Sequence, residues 1–300
     1  MKFKEKIKKR LDLYLGLIRQ RKEIKSLYYS LDKAAKKDFR SILKFNLIRY
    51  SVPYFLSKIL RRKYNFYNSK DKALIFKNYI FKSVRIKQDS QGSAFSKLIQ
   101  EISFLIKEIL ITKAYEDEEV KVEPKDIVLD CGANIGIFSI YAAKKTKMVY
   151  AFEPSQDEAA SLSENMKLNN CNNIKIVSKA VFDTAKNTKL ILFGTTSHFI
   201  VNKDNEAEGG INIETIPIDE FVREENLNRV DFIKMNIEGS EEKAFLGAKE
   251  TLRKFKPKLA ISVAHKFDDL YKLPLLIKRL NPDYKIRVKN KKGILMLYAI

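Results

Sequence analysis

Apolar and polar positions change their period along the chain, and the changes mark its elements. Ile127-Val128-Leu129 reads as a strand, Ile137 to Ala143 as a helix, and Met148 to Glu153 as a buried strand that Pro154 closes. A helix is expected from about Asp157 to Leu168, where Ala159, Leu162 and Met166 recur at helical spacing and Asn169-Asn170 suits its end. Ile174 to Val177 gives a third strand, so residues 126–178 read βαβαβ and predict a doubly wound parallel sheet. Asp231 to Ile237 and Leu259 to Val263 add two strands. Lys285 to Val288 and Ile294 to Tyr298, joined across Lys289 to Gly293, read as a terminal hairpin.

The N-terminal part has another rhythm. Phe3, Ile7, Leu11, Tyr14, Leu15 and Ile18 recur at helical spacing, as do Leu31, Ala35, Phe39, Ile42, Leu43, Leu47 and Tyr50. Pro53 breaks the pattern, Tyr54 to Leu60 restarts it, and Ala73 to Ile86 suggests a strand pair. Charge sharpens the division. Residues 1–90 hold 26 Lys plus Arg against 7 Asp plus Glu, whereas the remaining 210 hold 32 against 30. A Lys-rich composition alone would spread the excess evenly, so residues 1–94 are expected to form a basic, mainly helical module and residues 95–300 a separate domain. Three readings of the module stay open: it docks its apolar stripe on the second domain, it lies on an anionic membrane surface, or it binds nucleic-acid phosphates.

No run of 18 uncharged apolar residues is present, and the apolar run Leu11 to Ile18 contains Asp12 with no small-residue cleavage site after it. The two cysteines stand far apart, which suits a reducing compartment. These features point to a cytoplasmic protein, with peripheral attachment at the inner face of the membrane left open. Its oligomeric state is not legible.

The candidate chemistry starts at Asp130-Cys131-Gly132-Ala133-Asn134-Ile135-Gly136, between the first strand and its helix. A strand, a tight glycine turn and a helix N-terminus make a site for a nucleotide-like ligand, and the glycines let backbone approach where a Cβ would collide. Asp130 can accept from a loop amide or an ammonium, and Asn134 can orient the loop. Glu153 follows the first glycine by about 20 residues, where an acidic side chain binds ribose hydroxyls. A dinucleotide site wants a third glycine, but that position is Phe138. The loop, the ribose clamp and the missing glycine together favour S-adenosylmethionine, which has no pyrophosphate. Asp183, after the third strand, is placed to accept from the adenine amino group.

Asp130 to Gly136, Phe152-Glu153-Pro154, the run Val230 to Glu241 and Ala260 to Lys266 together resemble an FkbM-type methyltransferase over roughly residues 95–300, most specifically in Glu238-Gly239-Ser240-Glu241. The resemblance implies a Rossmann-like α/β fold with a seven-strand, mostly parallel sheet whose antiparallel end is the terminal hairpin. It also implies an S-adenosylmethionine-dependent O-methyltransferase acting on a sugar hydroxyl of a glycan, surface polysaccharide or glycolipid. An RNA methyltransferase and a non-catalytic cofactor-binding scaffold are the alternatives. Nucleic acid is the less favoured partner, because the segment after the fourth strand reads Asn236-Ile237-Glu238-Gly239 rather than Asn-Pro-Pro-aromatic.

An alcohol acceptor needs its proton removed by a base or with a metal. In a sheet of that type the strands at 231 and 259 are neighbours, so Glu238 and His265 would face one cleft. Strand alternation puts Asn236 and Glu238 on one side if the strand stays extended. Glu238 is then a base or a hold on the acceptor, unless it caps the following helix, and Asn236 touches acceptor or cofactor. His265, as a neutral imidazole, is a proton acceptor. The family often has Asp where this chain has Asn236, which argues against a metal. His198 is a weaker candidate in an acceptor loop.

Overall fold

The computed structural model describes residues 67–68, 73–83, 93–193, 197–200, 210–263, 265–266 and 268–300. The helices expected before residue 61 lie outside the described residues. Strands β1 (Tyr67–Asn68), β2 (Ala73–Phe76) and β3 (Tyr79–Phe81) form an antiparallel sheet in which β2 and β3 are the expected strand pair. Helix α1 (Ser93–Ile106) runs into a π-helical turn at Lys107–Ile111.

The βαβαβ unit follows as β4 (Ile127–Cys131), α2 (Ile137–Ala143), β5 (Met148–Phe152), α3 (Gln156–Leu168) and β6 (Ile174–Val177). Next come β7 (Ala180–Val181), β8 (Asn187–Phe193), β9 (Ser197–Ile200) and β10 (Ile211–Ile216), a four-stranded sheet in the order β7-β10-β8-β9 that the sequence reading did not anticipate. The chain closes with α4 (Ile218–Glu224), β11 (Phe232–Met235), α5 (Glu241–Leu246), α6 (Lys249–Lys254), β12 (Lys258–Ser262), α7 (Asp269–Leu280), β13 (Ile286–Lys291) and β14 (Ile294–Ala299).

The main sheet runs β13-β14-β12-β11-β4-β5-β6, seven strands as expected, with β4, β5, β6, β11 and β12 parallel and the terminal hairpin antiparallel at one end. Successive residues of each strand feed opposite faces. Val128, Phe232 and Ala260 join the core under α1, α2 and α3, whereas Leu129, Ile233 and Ile261 join the core under α4 to α7. Helices on both faces make the sheet doubly wound, and both central faces are apolar because neither meets water.

The β2–β3 hairpin packs into the first of these cores through Leu74 and Phe81. Side chains from α3 and its C-cap complete its backbone: Asn169 Oδ1 accepts from Ile80 N at 3.1 Å, and Asn165 Oδ1 from Lys82 N at 2.7 Å. No helix among the described residues is long and apolar enough to cross a membrane.

Candidate active site

At the carboxyl ends of β4, β5 and β11 the structure opens a cavity of about 450 Å³, within the range of small-molecule sites. Its floor is the glycine loop. Gly132 has φ +80°, and a Cβ there would sit 2.2 Å from the carbonyl oxygen of Asn236, so no side chain fits. Gly132 N and Ala133 N donate to Phe152 O at 3.1 and 2.9 Å, tying the loop to β5. Gly132, Ala133 and Asn134 all line the cavity. Gly136 does not. Its φ is +88° and its Cβ would fall 2.0 Å from Leu162 Cδ1, so this glycine lets α2 pack on α3.

Glu153 lies where the ribose clamp was expected, on the cavity wall just past β5. Its carboxylate is held by backbone: Oε2 accepts from Asn134 N at 2.8 Å and Oε1 from Ser155 N at 3.0 Å. Burial raises its pKa to about 7, and the nearby Glu158 charge adds to the rise. The Ser155 and Asn134 amides and the Lys234 charge oppose it.

Asp130 accepts from an ammonium, as expected, but it does so beneath the floor and not as a contact of the cavity. It is fully buried and does not reach the cavity. β4 and β11 pair so that Lys234 stands opposite Asp130, and alternation sends both to the α1–α3 face. The Lys234 ammonium lies 2.8 Å from Asp130 Oδ1 and donates to Gly132 O at 2.7 Å, while Ser139 Oγ donates to Asp130 Oδ2 at 2.6 Å. Two charges out of water hold each other and brace the glycine turn. Lys234 itself lines the cavity.

Asp183 is also corrected. The chain after β7 turns toward α5, where Gly247 would clash with Phe182 O at 2.1 Å if it carried a Cβ. In that turn Asp183 Oδ2 accepts from Lys243 Nζ at 2.7 Å, away from the cavity. Ala180, Val181 and Leu190 line the wall instead. His198 falls in β9, the outer strand of the small sheet, with its side chain outside the described residues.

Asn236, Glu238 and His265 do converge, though not by strand alternation. β11 ends at Met235, and Glu238 and Gly239 take φ +55° and +94°, so the chain turns sharply. β12 neighbours β11 as expected and delivers His265 to the same corner. His265 Nδ1 is 3.1 Å from Glu238 Oε2, and Nε2 is 2.7 Å from Asn236 Oδ1. All three line the cavity. Glu238 is not the cap of α5: Ser240 holds that position without a side-chain hydrogen bond, and the buried Glu241 of the first turn ties down the preceding loop, with Oε1 accepting from Ile237 N at 3.0 Å.

The expected neutral imidazole is a further correction. Burial opposes the charged ring, but the hydrogen bond to Glu238 and the charges of Glu241, Glu238 and Asp269 outweigh it and raise the His265 pKa to about 9. At neutral pH the ring is an imidazolium between two oxygen acceptors. Asp269 is raised to about 7, by burial and then by the Glu241 charge.

Four further residues of the cavity lining were missed in sequence: Glu108, Tyr115, Phe104 and Lys234. Glu108, on the π-turn, is buried and accepts from Tyr115 Oη at 3.0 Å. Tyr115 packs edge-on against Phe138 at 5.5 Å, and the Lys234 ammonium lies 5.3 Å from the Tyr115 ring. Phe104 lines the mouth and is 45% exposed. Lys234 had a signal, since a lysine inside the apolar run Phe-Ile-Lys-Met needs a buried carboxylate. Glu108 left only the trace of an acid inside Leu-Ile-Lys-Glu-Ile-Leu.

Comparison with known proteins bears on this site. Methyltransferase 1 of Beauveria bassiana is 25% identical over 164 residues, 47% of this chain and 65% of that protein. The 31-O-demethyl-FK506 methyltransferase FkbM of Streptomyces tacrolimicus is 39% identical over 67 residues, 22% of this chain and 26% of that one. The crystal structure of methyltransferase FkbM from Methylobacillus flagellatus aligns with a TM-score of 0.47 at 25% identity, covering 61% of this chain and 45% of that one. The chain thus spans less than two thirds of the length of these relatives. The model of the methyltransferase FkbM domain matches residues 130–281, just over half of the chain and the stretch that carries the glycine loop, Glu153, Lys234, Glu238 and His265, and the chain belongs to that methyltransferase family.

Proposed function

We propose that the cavity is the active site of an S-adenosylmethionine-dependent O-methyltransferase whose acceptor is a sugar hydroxyl of a glycan, surface polysaccharide or glycolipid. The observation that carries this reading is the meeting in one cavity of the backbone-held Glu153 carboxylate and the Glu238–His265 pair. The residues suit the cofactor. Glu153 would take the ribose hydroxyls, the Gly132–Asn134 backbone the methionine end, and Ala180, Val181 and Leu190 the flat adenine. When bound, S-adenosylmethionine supplies a methyl group with a neutral thioether as leaving group, so positioning the acceptor does much of the catalysis.

The remaining task is the acceptor's proton. Glu238 holds His265 by Nδ1 and orients Nε2, the arrangement in which an imidazole takes a proton from a hydroxyl. The acceptor oxygen displaces the Asn236 contact at Nε2. Because His265 is charged at rest, only the fraction that has lost its proton acts as base, and methyl transfer rises with pH and levels near 9.

Calorimetry with S-adenosylmethionine tests the cofactor half, and absence of binding overturns it. Label transfer into RNA, lipid and polysaccharide fractions of a cell extract tests the acceptor half, and label confined to RNA overturns it. His265→Gln is expected to lower transfer about 10²- to 10⁴-fold and abolish the limb near pH 9. Glu238→Gln is expected to move that limb toward the ordinary histidine range, since it removes the carboxylate that raises it.

A further inference from the structure

The wall across from the glycine loop belongs to α1 and its π-turn, through Phe104, Leu105, Glu108 and Ile109, with Tyr115 behind them. All of these residues precede residue 130, where the match to the family model begins. The glycine-loop floor lies inside that match and this wall lies before it.

Two features of the wall exceed what packing requires. Phe104 is the exposed large apolar side chain among the described residues, and it stands at the cavity mouth. Glu108 is a carboxyl placed in a 5% exposed position beside the buried Ile109 and Leu110. Burying a carboxyl is costly, and a well-packed apolar pair would fill the space at less cost. Its Oε1 accepts from Tyr115 Oη, and among the described residues no second side chain or amide bonds to it. The π-turn that presents it is closed by Thr112 N donating to Lys107 O at 2.9 Å. Such turns are rare and concentrate at functional sites. Burial pushes the Glu108 pKa up, while the hydrogen bond from Tyr115 and then the Lys234 and His265 charges pull it down and Glu238 adds to the rise. The group therefore lies within electrostatic reach of the reacting corner.

We propose that this wall is the acceptor subsite and that it takes a polyhydroxylated ring, a sugar residue: Phe104 meets the ring's C–H face, and Glu108 bonds a hydroxyl beside the one that reaches His265. The proposal rests on the methyltransferase reading above. An aromatic face joined to a carboxyl a short way inside suits a ring with one apolar face and a polar rim. A phenolic acceptor would use Phe104 but leave Glu108 with Tyr115 as its one partner.

The test uses the full chain and the polysaccharide or glycolipid fraction that wild-type protein labels. Glu108→Gln is expected to raise KM for that fraction roughly ten- to hundredfold, the loss of one hydrogen bond to a charged or strongly polar group, with S-adenosylmethionine affinity unchanged. Phe104→Ala, at an exposed position that does not threaten folding, is expected to raise KM several-fold, and Phe104→Trp to restore it. Unchanged KM in both Glu108→Gln and Phe104→Ala overturns the subsite while leaving the methyltransferase reading intact. A fall in cofactor affinity in Glu108→Gln also overturns it, since the carboxyl then serves the cofactor. Wild-type protein that binds S-adenosylmethionine but labels no carbohydrate-containing fraction overturns the sugar assignment. Failure to bind the cofactor at all strikes the underlying reading instead.

Discussion

The floor of the cavity and the wall facing it are built on different terms. The floor is backbone: Gly132 admits no Cβ, two loop amides donate to Phe152 O, and Glu153 is fixed by two further amides. The wall is side chain: Phe104 hangs from a helix end, Glu108 from a π-turn and Tyr115 from the turn that follows. A floor set by main-chain geometry changes little without breaking, so it suits a ligand shared across a family. A wall of side chains can change one residue at a time, so it suits whatever differs between relatives.

Lys234 is where the two meet, with its ammonium on Asp130 and Gly132 O and near the Tyr115 and Phe138 rings at 5.3 and 6.0 Å. The largest effect is expected there. Lys234→Met leaves Asp130 as a lone buried carboxylate and should cost about 3–5 kcal/mol of stability, read as a shift of the urea midpoint. Asp130→Leu alone should cost a similar amount, and the double variant should recover most of the loss. Strictly additive losses would mean that the pair does not act as a unit and that the floor stands without it.

A smaller effect separates binding from folding at Glu153. A carboxylate bonds ribose hydroxyls best when ionised, so wild-type cofactor affinity should rise with pH through about 7. Glu153→Gln should lower affinity about 10- to 100-fold at pH 8 and by less at pH 6, where the wild-type carboxyl is already largely protonated. Stability runs the other way. The folded pKa is raised, so Glu153 contributes stability fully below its unfolded value and loses it as pH rises through about 7. Glu153→Gln should flatten that slope. Calorimetric titration and denaturant midpoints at both pH values check the two signs separately.

The parts legible in sequence were those fixed by short-range pattern. β4, α2, β5, α3 and β6 follow their apolar periods almost to the residue, because each is a contiguous element buried on a known face. Glu153 was legible because its distance along the chain from Gly132 is set by one helix and one strand. The ammonium that Asp130 accepts from was hidden because it lies 104 residues away on β11, and only the Lys234–Asp130 register reveals it. The charge on His265 was equally hidden, since Glu238, Glu241 and Asp269 reach it through a left-handed turn and two helix starts. The small sheet β7-β10-β8-β9 was overlooked even though Ile211 to Ile216 alternates as a half-buried strand should. Glu108 depended on a π-turn, which has no period of its own to recognise.

The smallest expected effect falls on Asp183, at the edge of the floor. If the adenine amino group were its partner, Asp183→Ala would cost cofactor affinity as Glu153→Gln does. The structure gives it Lys243 instead, in a pair whose side chains are 20% and 44% exposed, and exposed pairs contribute only about 0–1 kcal/mol. Asp183→Ala should therefore lower stability by no more than that, lose even this effect at high salt, and leave S-adenosylmethionine affinity unchanged. The salt series decides between the two roles, because screening weakens a surface ion pair but does not touch a hydrogen bond to a neutral adenine inside the cavity. A salt-insensitive loss of affinity would return Asp183 to the cofactor and extend the backbone-built floor to the turn after β7.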